Sequence, residues 1–486
     1  MKGNTQTKPR EFLPANEPKY AGLLYSAREF LNSVLFYAIE ALVAVLIVLL
    51  RIEVIGAIIF VGLLAVIVMV CEDISATTLP FLLLCTFTTN CYDSFDTFMQ
   101  YAIYAPIVVL AFIYHFMMYG KGKKIRFGES MHGISAVSIA VFMGGIGTFT
   151  IMEYVSGAYY MFGLGMGMVA AYLVMKSLFY PRRNYDYKKR FSWLMTFEGL
   201  TALAMIAIGT LRAKYKLLGG NELVGYYLGF SPNNLSTMLM FAMPFPLFLA
   251  KKKWTPLALL TPFFYLAILL TDSRGGFLFG AVELVVCCLF WIFDSETNKV
   301  KWIKFVCCAV LGIAMLIAFW DIVKDIIQGG FMAEGVIEGS DRATMIGQAI
   351  DNFFKNPFVG TGILDESIAY GEYNKEGTMA WYHMMIPQIV GSMGLVGIVA
   401  YAYQFIGRTK LVFMKKCRWS LVLGVSYLGV FLMSQVNPGE FCPLPFELLA
   451  VLLFILQEKR LEEEQLPLCY DLKTGEKFPC KKRSKK

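Results

Sequence analysis

The chain has 486 residues, of which 57% are hydrophobic and 16% are charged, and its formal net charge is +8. A soluble protein of this length exposes far more charge, so the composition excludes a soluble globular fold and indicates a polytopic membrane protein. The excess of Lys and Arg requires no nucleic-acid partner, because membrane proteins collect positive charge in the loops on one side of the bilayer.

The apolar segments predict transmembrane helices along most of the chain. A helix needs about 20 mostly apolar residues to cross the hydrocarbon core of a bilayer. We therefore predict an all-α, polytopic integral membrane protein with about 12 to 14 transmembrane helices. The candidate spans are centred near residues 42, 62, 84, 108, 142, 168, 202, 242, 262, 285, 312, 395, 428 and 449.

The distribution of Lys and Arg predicts the topology. Basic residues crowd alternate loops, for example 119–128, 180–191 and 407–418. The positive-inside rule makes that side cytoplasmic, and an even number of spans places both termini there. The predicted regions are a cytoplasmic amino-terminal segment (1–33), a bundle of about eleven spans (34–320), a long extracytoplasmic loop with short helices (321–382), three further spans (383–457) and a basic cytoplasmic tail (458–486).

The segment "LLTDSRGG" (269–276) places Arg274 at the start of a span on the outer side, where basic residues are scarce. An arginine that extends from a helix end towards water is one interpretation. The other is an anion site, because helix N-termini bind phosphate and arginine adds permanently charged, bidentate donors.

The long outer loop contains a second arginine in the same situation. Apolar residues recur at three- and four-residue spacings after Asp341, which predicts an amphipathic helix that Asn356 and Pro357 terminate. Arg342 lies in its first turn, where the helix dipole disfavours a cation. A helix resting on lipid headgroups and a second contribution to an external anion site both remain open.

The loop ends in "WYHMM" (381–385), which contains the only histidine predicted on the outer side, His383. An ordinary aromatic belt at the membrane surface is one interpretation. A histidine beside two arginines and a helix N-terminus is expected to have a lowered pKa, which leaves it neutral and able to accept a proton.

These segments together resemble the O-antigen ligase and O-antigen polymerase family of bacterial membrane glycosyltransferases. The shared pattern is the "TDSRGG" turn, the arginine-led helix ending in "NPFVGTG" (356–362), and the histidine followed by a glycine pair, Gly394 and Gly397. The resemblance covers roughly residues 254–410. It departs from the family at Met384, where many members have Asn.

The resemblance implies a C-type glycosyltransferase-like fold in the bacterial plasma membrane, with the active site on the outer face. The implied reaction transfers a glycan from a polyprenyl (undecaprenyl) diphosphate carrier to a hydroxyl of a glycan, lipid, wall polymer or protein, with inversion. Because the predicted outer loops contain no evident cluster of acidic residues or histidines, we expect Arg274 and Arg342 to take the place of a divalent metal, and we expect no other cofactor. Arg274 and Arg342 would bind the diphosphate, and His383 would orient or deprotonate the acceptor.

Further residues are candidates for substrate binding, and two alternatives stay open. Ser273, Arg212, Lys214, Lys216 and Tyr382 lie on or near the same outer side. A repeat-unit polymerase of the same family differs from a ligase only in its acceptor. A lipid-linked glycan transporter or flippase would instead be expected to place its site at the bilayer midplane between repeated halves.

Overall fold

The computed structural model describes residues 21–88, 104–120, 127–149, 161–179, 186–215, 232–250, 256–271, 273–325, 341–363, 382, 384–414, 416–437, 439–464, 468–470 and 477–479. Within these residues the protein is helical apart from one short hairpin, as expected for a chain whose backbone polar groups must be satisfied inside hydrocarbon.

The first nine α-helices lie between residues 21 and 242. They are α1 (Ala21–Leu31), α2 (Val34–Leu50), α3 (Glu53–Val70), α4 (Thr78–Thr88), α5 (Ala105–Tyr119), α6 (Ser130–Phe149), α7 (Met168–Leu178), α8 (Tyr187–Tyr215) and α9 (Pro232–Ala242).

The remaining elements complete the bundle. They are α10 (Phe245–Leu249), α11 (Leu260–Leu269), α12 (Arg274–Phe293), α13 (Asn298–Ala318), α14 (Trp320–Asp325), α15 (Asp341–Lys355), α16 (Met385–Phe413), α17 (Arg418–Met433), α18 (Leu448–Glu464), and an antiparallel hairpin of β1 (Leu468–Tyr470) and β2 (Lys477–Pro479).

The all-α polytopic class predicted from the sequence is confirmed. Among the described residues, five helices are long and apolar enough to cross a membrane, or six if the pair Tyr25–Leu31 and Val34–Leu50, bent by 59°, forms one span. Six apolar helices are shorter, and the predicted count of 12 to 14 includes such segments. The span predicted near 242 is not a single helix: it is divided into α9 and α10 at Pro244, because proline lacks a backbone N–H.

Polar contacts join several helix ends on the side of the bundle where the sequence has most of its basic loops. At one end of the bundle, Lys176 of α7 and Ser130 of α6 both bond to Glu458 of α18. Arg418 at the start of α17 pairs with Asp294 at the end of α12, at 3.2 Å. These are the ends predicted to be cytoplasmic, and they lie together. The absolute orientation of the bundle stays a prediction.

Inside the bundle, α16 is broken rather than continuous. Gly394 has φ 56° and ψ −147°, which no L-residue adopts readily and which ends one helical segment and begins another. The N–H groups that lose their helical partners at the break bond elsewhere: Leu395 N donates to Pro357 O at 2.8 Å, and Val396 N donates to Phe358 O at 3.0 Å. The loop that follows α15 is thereby fixed against α16.

Candidate functional site

The first part of the candidate site is the start of α12. Ser273 is the N-cap, and its hydroxyl accepts a hydrogen bond from Gly276 N at 3.0 Å. The same hydroxyl donates to Asn233 Oδ1 of α9 at 2.6 Å. Arg274 is the first residue of the helix, and its side chain is exposed. Ser273 thus fixes the end of the helix that presents Arg274, consistent with the preference for serine at N-caps.

The turn after α17 packs directly against this helix start. A Cβ atom on Gly275 would lie 2.5 Å from Val436 Cγ2, so only glycine allows the two segments to approach this closely. Asn437, which follows Val436, donates from its side-chain amide to Asn234 Oδ1 at 3.0 Å. The starts of α9 and α12 and the end of α17 therefore form one packed corner of the bundle.

The same turn holds the start of α16. Met385 N donates to Ser434 O at 2.8 Å, and the Ser434 hydroxyl accepts from Glu440 N at 2.8 Å. Because Met385 lies two residues after His383, this bond ties the segment that carries the histidine to the corner that carries Arg274.

Helix α15 joins the site through Tyr382. The Asn352 side-chain amide donates to the Tyr382 hydroxyl at 2.8 Å, and Tyr382 N donates to Gln388 Oε1 at 2.9 Å. Tyr382 is fully buried and forms a small cluster with Met345, Ala349 and Met384. Burial raises the pKa of the Tyr382 hydroxyl to about 12, although the hydrogen bond from Asn352 lowers it. The phenol is therefore neutral near pH 7, and its predicted contribution to substrate binding stays a prediction.

The "NPFVGTG" turn completes the connection between α15 and α16. Thr361 N donates to Gly391 O and Gly362 N donates to Ser392 O, both at 3.0 Å. Gly360 and Gly362 have φ values of 70° and 103°, in the left-handed region that favours glycine. These glycines are needed because the turn must follow the broken segment of α16 at close range.

A buried charge cluster lies next to the turn that follows α17. Arg408 of α16 pairs with Glu440, and it pairs with Glu447 at 2.6 Å. Gln404 donates to Glu447 at 3.1 Å. Because Glu440 N also bonds to Ser434, the cluster supports the turn that holds Met385.

The residues predicted from the sequence have different outcomes. Arg342 is the second residue of α15, but its side chain lies outside the described part of the chain, as do the side chain of Lys214 and the whole of Lys216 and His383. The helix predicted to begin near Asp341 and to end before Asn356 is confirmed as α15. The structure brings the segments around Arg274, Arg342 and His383 into one connected region.

Arg212 has a structural role that the sequence did not reveal. Its buried guanidinium donates to Val48 O at 3.2 Å and to Leu49 O at 2.6 Å, so it caps the carbonyl groups at the end of α2. Its contribution to substrate binding stays a prediction.

Sequence reasoning missed the amides that hold the site together, among them Asn352, Gln388 and Asn437. A usable signal was present, since an uncharged amide in a largely apolar chain usually has a hydrogen-bonding partner when it is buried. The sequence does not identify that partner.

A comparison with known protein families finds a match in the same region of the chain. The family model described as O-antigen ligase matches residues 257–402, from the turn before α11 to the middle of α16. No curated protein matches the chain. The matched segment contains Arg274, Arg342 and His383. Residues 257–402 of this polytopic membrane protein are therefore similar to the O-antigen ligase family.

Proposed function

We propose that the protein transfers an oligo- or polysaccharide from a polyprenyl diphosphate carrier to an acceptor hydroxyl on the outer face of the bacterial plasma membrane. The family match supports the coarser statement that this is a membrane glycosyltransferase of the ligase or polymerase kind. The carrier, the side of the membrane and the stereochemistry belong to the proposal.

The observation that carries the proposal is the hydrogen bond from Met385 N to Ser434 O. It connects the entry of α16, next to His383, with the turn whose Val436 packs on Gly275, next to Arg274. Two segments separated by more than a hundred residues thus meet at one end of the bundle.

Arg274 and Arg342 are assigned to the diphosphate. Each lies in the first turn of a helix, where the partial positive charge of the backbone and the guanidinium act on the same anion. Negative charge grows on the diphosphate as its bond to the sugar breaks. Fixed donors that stabilise such charge typically contribute a factor of about 10² to 10³ each.

His383 is assigned to the acceptor. The acceptor oxygen attacks the anomeric carbon, the bond from that carbon to the diphosphate oxygen breaks, and the proton of the hydroxyl passes to the imidazole. The carrier diphosphate leaves, and the histidine returns the proton to water. A single displacement inverts the anomeric centre, and base assistance contributes a factor of about 10² to 10⁴. No metal ion takes part in this scheme.

The test uses the purified full chain in nanodiscs with a synthetic carrier-linked oligosaccharide and candidate acceptors, and it follows release of polyprenyl diphosphate. Arg274→Ala and Arg342→Ala are each expected to lower turnover by about 10² or more. Lys355→Ala is the matched control, because Lys355 is an exposed cation at the opposite end of α15. Full turnover in both arginine variants would refute the assignment.

Two further arms separate the parts of the proposal. His383→Ala is expected to retain donor binding and to lose transfer, and a chelator is expected to have no effect. A product in which two glycans share one carrier would identify a polymerase, whereas a glycan on an acceptor that is not carrier-linked would identify a ligase.

A further inference from the structure

Four cysteines lie together at the contact between α12 and α13. Cys287 and Cys288 belong to α12, and Cys307 and Cys308 belong to α13. All four line one cavity of about 360 Å³, and all four are free thiols. The described part of the chain contains no group of three or more His, Cys, Asp or Glu side chains arranged to hold a metal ion. The chemistry that this cluster offers is therefore that of thiols.

Two of the four thiols form a pair across the cavity. The thiol of Cys288 interacts with the thiol of Cys308 through a side-chain hydrogen bond. Neighbouring residues on a helix differ by about 100° in direction. Accordingly, Cys287 is fully buried and interacts with Glu283, whose carboxyl group lies against Gly429 of α17. Cys288 and Cys308 are thus placed to react with each other.

A cation lies beside one member of the pair. Lys304 lies one helical turn before Cys308 on α13, and its ammonium interacts electrostatically with the Cys308 sulfur. The ammonium is held by its hydrogen bond to Trp291 O at 2.8 Å. Reactive cysteines typically have a cation nearby, because the thiolate is the attacking form. Cys308 is therefore the attacking sulfur, and Cys288 is the sulfur that closes the bond.

The pair is accessible from the lipid. Val306 and Val310 of α13 are more than half exposed on the surface of the bundle. Cys288 and Cys308 are themselves half-buried. At about 1.5 Å per residue, Cys308 lies about 15 Å from the start of α13, which is about the middle of the hydrocarbon core. Reagents that dissolve in the bilayer therefore reach these thiols more readily than charged, water-soluble ones.

We propose that Cys288 and Cys308 are a modification site, at which hydroperoxides dissolved in the bilayer form a disulfide. The Cys308 sulfur attacks the hydroperoxide, the O–O bond breaks, and an alcohol leaves with the thiol proton, which gives a sulfenic acid on Cys308. The Cys288 sulfur attacks this sulfenic sulfur, the S–O bond breaks, and the hydroxyl group leaves as water with the second thiol proton. The two sulfurs are oxidised, and one hydroperoxide is reduced.

The disulfide would attach α13 covalently to the bundle. Lys304 is the buried residue of α13, and the other side chains of this helix are half-buried or exposed. A bond between Cys288 and Cys308 therefore fixes a helix that otherwise has few buried contacts. This modification does not depend on the proposed transfer reaction.

The experiment treats the full chain in nanodiscs with cumene hydroperoxide and analyses tryptic peptides without reduction. A disulfide is expected between the peptides 275–299 and 305–324, and dithiothreitol is expected to remove it. Cys287→Ala and Cys307→Ala are the matched controls and are expected to retain the link. Cys288→Ala and Cys308→Ala are expected to lose it. Fragment ions from the parent protein locate the bond without any substitution.

A second arm identifies the attacking sulfur with dimedone, which captures sulfenic acids. Cys288→Ala is expected to accumulate a dimedone adduct on Cys308, whereas Cys308→Ala is expected to show none on Cys288. Folded parent protein that forms no link, or a link that persists in Cys288→Ala, would overturn the inference. Equal adducts on the two sulfurs would overturn the assignment of Cys308 as the attacking group.

Discussion

The side-chain amide of Asn352 donates a hydrogen bond to the hydroxyl of Tyr382 at 2.8 Å, and both residues are buried. This bond joins α15, whose second residue is Arg342, to the residue that directly precedes His383. Arg342 is assigned to the leaving diphosphate and His383 to the acceptor hydroxyl. The segments that carry these two residues are thus fixed to each other. The connection between these segments depends on an uncharged, buried pair of side chains.

The first prediction concerns this pair. Tyr382→Phe removes the acceptor of the buried Asn352 donor, and an unsatisfied buried donor costs about 1 to 3 kcal/mol. We expect a lower midpoint of thermal unfolding in detergent and a lower kcat. Adding Asn352→Leu removes the orphaned donor, so the double variant is expected to regain most of the stability. A double variant that is less stable than Tyr382→Phe would contradict this account.

The second prediction concerns the break in α16. Alanine at Gly394 must adopt φ 56°, and its Cβ would lie 2.6 Å from Pro357 O. We expect Gly394→Ala to lower the free energy of unfolding by about 1 to 3 kcal/mol and to reduce activity, since the turn after α15 must move. Gly407→Ala is the control, because Gly407 is in the same helix with open space around it, and it is expected to be neutral or stabilising by up to about 1 kcal/mol. Equal effects at the two glycines would argue against the break as the cause.

The sequence predicted the helices better than their contacts. The apolar pattern after Asp341 predicted a single apolar face, formed by Met345, Ile346, Ala349, Ile350, Phe353 and Phe354. In the structure Met345 and Ala349 are buried against Tyr382, whereas Ile346 and Ile350 are exposed by 37% and 47%. The pattern shows which residues avoid water, but it does not distinguish protein from lipid as their neighbour, because both are apolar.

The roles of the charged residues depended even more on neighbours that are distant in sequence. From the sequence alone, Arg212 is predicted to be a cation in an outer loop. Its hydrogen-bonding partners lie at the end of α2, more than 160 residues earlier in the chain. Arg408 is predicted from the sequence to belong to a basic cytoplasmic loop. In the structure it pairs with Glu440 and Glu447, which lie after α17. The position of Arg274 at a helix start, by contrast, was predictable from the sequence, because the serine cap and the glycines that determine it are adjacent.

The third prediction concerns the cluster of Arg408, Glu440 and Glu447. Arg408→Met leaves two buried carboxyl groups without their cation, and breaking a buried pair in this way costs about 3 to 5 kcal/mol. We expect little folded protein by gel filtration in detergent. Combining Arg408→Met with Glu440→Gln and Glu447→Gln removes the uncompensated charge and is expected to restore folding. If the triple variant is as poorly folded as the single one, then the arginine acts through packing rather than through charge.

The fourth prediction concerns the thiol of Cys417, which caps α17 at the end of the bundle opposite the candidate site. Burial raises the pKa of this thiol, but hydrogen bonds from Ser420 and Arg460 outweigh burial and lower it below the ordinary value. A lowered pKa means that the reactive thiolate persists to lower pH. We expect the pH for half-maximal alkylation to move upward in Arg460→Gln and to move less in Arg460→Lys, which retains the charge. Alkylation profiles that coincide in the parent protein and Arg460→Gln would show that the guanidinium does not act on the sulfur.

The fifth prediction uses the same thiol to test the orientation of the bundle. Cys417 lies in a basic loop that the positive-inside rule makes cytoplasmic, and Arg418 and Asp294 beside it join the start of α17 to the end of α12. A membrane-impermeant maleimide is expected to label Cys417 in inside-out vesicles and not in right-side-out vesicles, with Cys417→Ser as the background. Because α12 begins at Arg274 and ends at this loop, labelling from inside places Arg274 outside. The opposite labelling pattern would invert the protein and move the proposed transfer reaction to the cytoplasmic face.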